Sequence, residues 1–481
     1  MTSIIIKNNT NKLKRRMKMK RSLLSLLLIF ALLFNAVSMT ACVLIPGLGT
    51  DDSGNSGTPS GDNGKDEGDD KDDDGSEQNK DEHLTSPDVL ALLDGKYSDF
   101  EIPREKLEAA LEAALDKVDY ALTTLDGKFP NECSKNNVYP AVDNNDGRST
   151  WTTGFWTGIL WHAYELTGES KYKLVANQHV PTFYERIYNK TGVNHHDMGF
   201  LYTPSCVAAY KLDGNVLGKE AALMAADHLI SRYHESAGFI QAWGNVGADD
   251  NYRLIVDCLL NIPLLYWASE VTGDSKYRDI AYQHFSTTVS VCYRPDGSTY
   301  HTYYFDKDTG LPLKGVTAQG ASDDSTWSRG QAWGMYGPML TYIYIQDERA
   351  LETFISAANY YLAYLPSDYV AYWDLSFSDG AYEPKDSSSA AIAVCAMLEA
   401  IKYMDESDPQ RRLYVNACNR IMNSLIDNYT TKDVPEANGL LLHGTYSKPG
   451  NNGVDEMTTW GDYFYMEALH RMLDEDWSLY W

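Results

Sequence analysis

An all-α fold, an (α/α)6 barrel of six helical hairpins closed into a toroid, is predicted by three features of this 481-residue chain. Two segments nearly repeat each other, "LWHAYELTGESKYKLVANQHV" from Leu160 and "LYWASEVTGDSKYRDIAYQHF" from Leu265. The shift between them leaves room for two hairpins of roughly fifty residues each, the mark of stacked helical units. Apolar residues recur with a 3.6 period in about twelve stretches. Strand-like alternation is confined to short pieces such as "STYHTYYFD". An open solenoid is the alternative arrangement; the density of aromatics at helix starts favours a closed ring with a carbohydrate-lined mouth.

The first element lies outside the fold. Lys12, Lys14, Arg15, Arg16, Lys18, Lys20 and Arg21 form a basic start, and the apolar run "LLSLLLIFALLF" that follows is short for a membrane span. The run closes on "SMTAC", with Ala41 directly before Cys42. Residues 1–41 resemble a bacterial lipoprotein signal, which would make Cys42 a lipidated N-terminus and an anchor rather than a span. Ordinary signal cleavage near Ala41 is the alternative. Residues 42–84 carry the acidic stretch "TDDSGNSGTPSGDNGKDEGDDKDDDGSEQNKDEH", too poor in apolar groups to offset chain entropy and self-repelling enough to extend. It is expected to be a tether; its Asp runs lack the ligand spacing of an EF-hand.

Residues 85–481 are the expected catalytic domain. Amphipathic stretches lie near 103–124, 151–167, 170–188, 199–213, 218–232, 251–272, 275–292, 327–345, 348–364, 386–404, 408–427 and 460–473. In both repeats a helix ends at Thr-Gly, the chain turns through a polar pair, and the next helix begins at Lys-Tyr. The whole chain has 67 Asp and Glu against 41 Lys and Arg, a formal charge of −26, which argues against nucleic acid as a partner. Cys133, Cys206, Cys258, Cys292, Cys395 and Cys418 are scattered with no CxxC pair, so no disulfide is demanded. Oligomeric state is not legible.

Three stretches carry candidate chemistry. In "NYRLIVDCLLNIPLLYW", Asp257 is expected well inside a helix among apolar neighbours. Burial there raises a carboxyl pKa toward that of a proton donor working near neutral pH; a core Asp bonded to Asn261 or Arg253 is the equal alternative. In "NHHDMGFLYTPS", Asp197 precedes the next helix, at the mouth of a hairpin or as its N-cap. Two carboxylates from adjacent hairpins facing one cavity is the usual glycosidase arrangement. His195, His196 and Asp197 are competent ligands, but adjacent residues seldom converge on one ion and no HxxxH or HExxH accompanies them, so no metal is expected. In "VTAQGASDDSTWSRGQAWGMYG", Arg329 and Trp333 share a helix face, suited to gripping a carboxylate and stacking on a sugar ring. A surface Arg over core tryptophans is the plainer reading.

"WTTGFWTGILWHAYELTG", "HHDMGFLYTPSC", "NYRLIVDCLLNIPLLYWA", "DDSTWSRGQAWGMYG" and "WGDYFYMEAL" together resemble the unsaturated glucuronyl hydrolases of glycoside hydrolase family 88, from about residue 100 onward. The resemblance implies an (α/α)6 barrel acting without metal or organic cofactor on unsaturated uronyl oligosaccharides made by polysaccharide lyases. It implies hydration of the C4=C5 vinyl ether, with Asp257 as general acid/base and Asp197 as the second essential aspartate. It assigns Arg329, His301, Gln319, Trp327 and Trp333 to the uronate subsite, with Gly315 and Thr317 in the loop leading to it. Trp151 and Trp243 would be aromatic walls, and Tyr446 and Ser447 would border the next sugar. The related unsaturated rhamnogalacturonyl hydrolases are the nearest rival. A surface glycan-binding lipoprotein without activity is the alternative of a different class, which a buried Asp257 disfavours.

Overall fold

The computed structural model describes residues 87–148 and 150–481; the leader, Cys42 and the acidic stretch lie outside the described residues. Twelve of the chain's helical segments pair as six outer–inner hairpins. Outer α2 (Arg104–Leu125) precedes inner α3 (Thr153–Thr167), and outer α4 (Ser170–Tyr188) precedes an inner segment made of α5 (Met198–Tyr202), a π turn and α6 (Ala208–Asp213). Outer α7 (Val216–Ile230) pairs with inner α8 (Pro263–Thr272), and outer α9 (Ser275–Cys292) with inner α10 (Ser328–Ile345). Outer α11 (Glu348–Tyr364) then pairs with inner α12 (Ser387–Ala400), and outer α13 (Pro409–Ser424) with inner α14 (Thr459–Leu473). Neighbouring inner segments pack on one another around the ring, with α14 closing against α3. The fold is an (α/α)6 barrel.

Residue character separates the layers. Outer α2 buries only Leu107, Ala110, Ala114, Val118, Ala121 and Leu125, one stripe at three- and four-residue spacing. Inner α10 is buried on all sides from Ser328 to Tyr342. Close approach between inner helices needs small residues: a Cβ on Gly158 of α3 would fall 2.5 Å from the Tyr463 ring of α14 and 2.8 Å from Pro204.

The two ends of the barrel differ. At one end an inner helix passes to the next outer helix through a tight turn. Gly168 and Gly273 each close one at φ 75°, a conformation glycine adopts without strain, which explains the Thr-Gly repeat. At the other end long connections carry short strands, and the N-termini of the inner helices open there. A helix not anticipated from sequence, α1 (Pro87–Lys96), precedes the barrel. Its Lys96 Nζ donates to the carbonyls of Leu362 (2.9 Å) and Leu365 (2.6 Å) at the end of α11.

One expected helix is overturned. Residues 251–272 are a strand at Arg253–Ile255, a 3₁₀ turn at Val256–Leu260, and a helix only from Pro263. Pro263 lacks the N–H that a helix interior requires, so it starts a helix rather than sitting inside one, at the first-turn position after Ile262. The upstream Leu254-Ile255 instead pairs with Tyr303-Thr302 in an antiparallel sheet whose third strand is Pro312–Val316.

Candidate active site

Asp257 therefore sits at a strand–turn junction at the open end, not in mid-helix. Val256 N–H donates to His301 O (3.0 Å), locking the turn to the sheet. Asn261 does not hold the Asp257 carboxyl: its amide donates to the Asp257 backbone carbonyl (3.3 Å) and accepts from Phe200 N–H (2.9 Å). Asn261 thus brackets the starts of two inner segments, the one after Asp197 and the one after Asp257. Asp197 occupies the N-cap position of α5, yet its carboxyl caps nothing. Its loop is clamped to the neighbouring one: His196 N–H donates to Ala242 O (2.9 Å), and His195 forms a β-bridge with Trp243.

His196 stands between the two carboxyls. Its Nε2 lies 3.4 Å from Asp197 Oδ1 and 3.3 Å from Asp257 Oδ1, off the line of a formed hydrogen bond to either, so Asp257 Oδ1 stays buried without a donor. The nitrogen and one oxygen of each carboxyl fall within 4.8 Å of one another, so the adjacent residues do converge, on a point the imidazole itself supplies with charge. Burial would strip the proton from His196, but Asp197 and Asp257 together outweigh it and hold its pKa well above the usual imidazole value. Burial also opposes ionisation of Asp197, yet the charges of His196, His195 and Arg232 prevail and its pKa is lowered. For Asp257 burial wins, reinforced by the Asp197 charge, and its pKa is raised. The environments push the two carboxyls apart, one pKa raised and one lowered, the pattern of an acid and its anionic partner.

These carboxyls open into a cavity of about 360 Å³ lined by Trp151, Asn194, His195, Asp197, Trp243, Gly244, Asp257, His301, Gln319, Trp327, Arg329, Trp333 and Tyr446. Ten residues expected from sequence meet there. Trp151 stacks on Trp460 with ring centroids 4.8 Å apart and donates from Nε1 to Tyr446 Oη (3.0 Å). Trp243 is backed by the Arg253 guanidinium, 4.6 Å from its ring centre. Trp333 packs on Phe200 beneath the floor. His301 accepts at Nδ1 from Ala318 N–H (3.2 Å), so its proton is on Nε2; burial and the charges of Arg253 and Arg329 push its pKa down to about 3 and keep it neutral.

Arg329 does not have the free grip expected of it. Its Nη1 donates to Asp386 (2.6 Å) and Thr445 O (2.5 Å), and its Nη2 to Tyr446 O (2.6 Å) and Gln319 Oε1 (3.1 Å). A buried guanidinium needs such partners, and the result is a strut that fixes Gln319 and the hairpin bearing Tyr446. Gly315, Thr317 and Ser447 do not line the cavity. A side chain at Gly315 would strike the Tyr300 ring. Thr317 Oγ1 accepts from Gly320 N–H (2.7 Å), and Ser447 Oγ from Gly450 N–H (3.2 Å), so both shape loops. Asn194 and Gly244 were missed; nothing in their spacing set them apart from ordinary loop residues. His195 and His196, weighed above only as metal ligands, both face the Asp197 carboxyl, at 2.9 and 3.4 Å.

An α/α barrel with a tryptophan-walled cavity and a split carboxyl pair defines a carbohydrate-cleaving enzyme. The chain matches the model of Glycosyl Hydrolase Family 88 over residues 123–474 and belongs to that family; it is a glycoside hydrolase. It is 47% identical over 376 residues to the unsaturated chondroitin disaccharide hydrolase of Streptococcus agalactiae serotype III (strain NEM316), covering 78% of this chain and 93% of the relative. It is 42% identical to the unsaturated glucuronyl hydrolase of Bacillus sp. (strain GL1), over 72% of this chain and 91% of the relative. The crystal structure of an unsaturated glucuronyl hydrolase from Streptococcus agalactiae superposes with a TM-score of 0.79 at 45% identity, covering 82% of this chain and 98% of that one. A mutant of that enzyme complexed with dGlcA-GalNAc6S gives a TM-score of 0.72 at 43% identity, over 80% and 96% of the two chains. Solved mutants of the streptococcal enzyme replace an aspartate by asparagine at two positions sixty apart.

Proposed function

We propose that this protein releases a terminal 4,5-unsaturated uronic acid from lyase-generated oligosaccharides by hydrating the C4=C5 vinyl ether. The observation that carries the reading is the pair itself: Asp257 and Asp197 face one cavity with His196 Nε2 between them at 3.3 and 3.4 Å, the Asp257 Oδ1 lacks a donor, and burial raises the Asp257 pKa while that of Asp197 is lowered. The two aspartates replaced in the solved relatives have the same separation as Asp197 and Asp257, which supports the pairing. Asp257 gives its proton to C4, leaving an oxocarbenium at C5. Water adds its oxygen to C5 and returns a proton to the Asp257 carboxylate. The C5 hemiketal then opens to a ketone, and C1 expels the neighbouring sugar as an alcohol. Asp197 remains an anion, bonding sugar hydroxyls and countering the developing positive charge. Trp151 and Trp243 stack on the sugar faces, while His301 Nε2–H and the Gln319 amide offer donors to the uronate.

The test is the ultraviolet absorbance of C4=C5 on unsaturated disaccharides, sulfated and unsulfated, with protein from residue 84 onward. Decay on uronyl-hexosamine substrates is expected. Decay only on unsaturated rhamnogalacturonan fragments would move the activity to pectin, and a flat trace throughout would refute it.

The leader and the acidic stretch further support placing the enzyme outside the membrane, held by lipid on Cys42. Detergent-phase partitioning of the full chain should be lost in Cys42→Ser; a variant that still partitions would overturn the anchor.

A further inference from the structure

Arg232, just beyond the end of α7, is buried to 1% exposure behind the active site. Each of its three nitrogens donates to a neutral oxygen: Nε to Gln241 O (2.8 Å), Nη1 to Asn194 Oδ1 (2.9 Å) and Nη2 to Gly244 O (3.0 Å). Asn194 and Gly244 both line the cavity, on the two loops that His195 and Trp243 bridge. Gln241 tightens the same knot, its amide donating to Trp243 O and Asn245 O at 2.9 Å each. Arg329 has a carboxylate partner instead, Asp386 at 2.6 Å, whereas Arg186, equally buried, also donates only to neutral oxygens, those of Asn144, Thr150, Thr153 and Gly192. Arg232 has no carboxylate within 4.0 Å among the described residues, although isolated buried charge is expensive. A planar guanidinium presents donors in three directions at once, so this one side chain spans both loops.

We propose that Arg232 is a positioning residue for the reaction, fixing the Asn194–Asp197 and Trp243–Gly244 loops while its charge holds Asp197 as the anion of the pair. The inference rests on the hydration reading above. Asp197 is faced by His195 and His196 from its own loop, Asp257 and Cys258 from the 3₁₀ turn, Arg186 from α4, and Arg232 from beyond the end of α7, with His228 of α7 next to Arg232 and His195. Of these, Arg186 and Arg232 keep their charge throughout the working range, and Arg232 is the one that ties both loops. Its effect is mutual: Asp197 partly restores the basicity that burial takes from Arg232, which is pulled down to about 10.

The experiment is kcat/KM against pH on an unsaturated disaccharide for wild type, Arg232→Met, Arg232→Gln and Arg232→Lys, with melting curves for each. Without the charge, Asp197 takes up a proton more readily, so the acid limb should move up by about one pH unit in the neutral variants, with activity at the foot of that limb down about tenfold. Arg232→Lys should keep the wild-type limb but raise KM several-fold, because an ammonium cannot span both loops. An acid limb unmoved in a folded neutral variant overturns the proposal, and so does a wild-type KM in Arg232→Lys. If neither neutral variant folds, the lysine variant decides by that same KM. A wild type inactive on every unsaturated substrate would refute the hydration reading instead.

Discussion

At the residue scale the account turns on one oxygen, Asp257 Oδ1, which is buried, faces His196 at 3.3 Å and has no donor of its own. Unsatisfied buried polar atoms are rare and mark functional positions. Asp257→Asn keeps the shape and removes the transferable proton. Turnover should fall by at least about a hundredfold while a disaccharide still binds, measured by absorbance decay and by calorimetry. Asp257 has its pKa raised and Asp197 lowered, so the active form has the first protonated and the second ionised. Rate should therefore fall as pH rises through the Asp257 titration and as it falls through that of Asp197, giving a bell. His196→Asn removes the charge that lowers both carboxyls, which should move both limbs to higher pH and cut kcat more than it changes KM. A profile with both limbs unmoved would refute the role of His196. Asp197 and Asp257 were legible as residues because acids stand out in apolar or histidine-rich stretches. The commitment of Arg329 to Asp386 and the 445–446 carbonyls was not, because those partners lie 57 to 117 positions away in sequence.

At the scale of elements, period 3.6 located the outer helices to within three residues at either end, because each buries a single stripe. Inner helices such as α3, closed by Gly168, and α10, buried all round, were located too, since their apolar runs are long enough to mark them. The failure at 251–272 has a visible cause: Pro263 and the β-branched Ile255-Val256 pointed to a strand and a late helix start, against an apolar run that satisfied either pattern. The correction matters to function, because a strand–turn junction delivers Asp257 to the mouth whereas a helix interior would bury it below the floor. The inner helices also depend on close contact. Gly158→Ala would drive a methyl into the Tyr463 ring and Pro204. It should cost about 1–3 kcal/mol, read as a lower urea midpoint; an unchanged midpoint would show that α3 and α14 have slack the packing does not suggest.

For the whole molecule, the two unlike ends of the barrel divide the labour. Tight glycine turns hold one end, and the other spends its long loops on the site, as scaffold-mounted sites commonly do. The interior also stores uncharged histidines. His179, His284, His301 and His470 are pushed down to about 3 chiefly by burial, and His162 lies well below the usual value. A depressed imidazole stays neutral when folded but takes up a proton when unfolded, so the stability it lends is full above pH 6.5 and is lost as pH falls from there toward 3. Melting temperature should accordingly decline steadily below pH 6.5; a flat profile down to pH 4 would contradict the neutral assignment. The measurement that tests the central claim most directly is a single turnover with enzyme in excess, following C4=C5 absorbance and free sugar in the same reaction. Hydration at C5 requires the absorbance to disappear before the sugar is released or in step with it, and both to vanish in Asp257→Asn. Release of sugar with the absorbance intact would mean direct cleavage at C1 and would contradict the account.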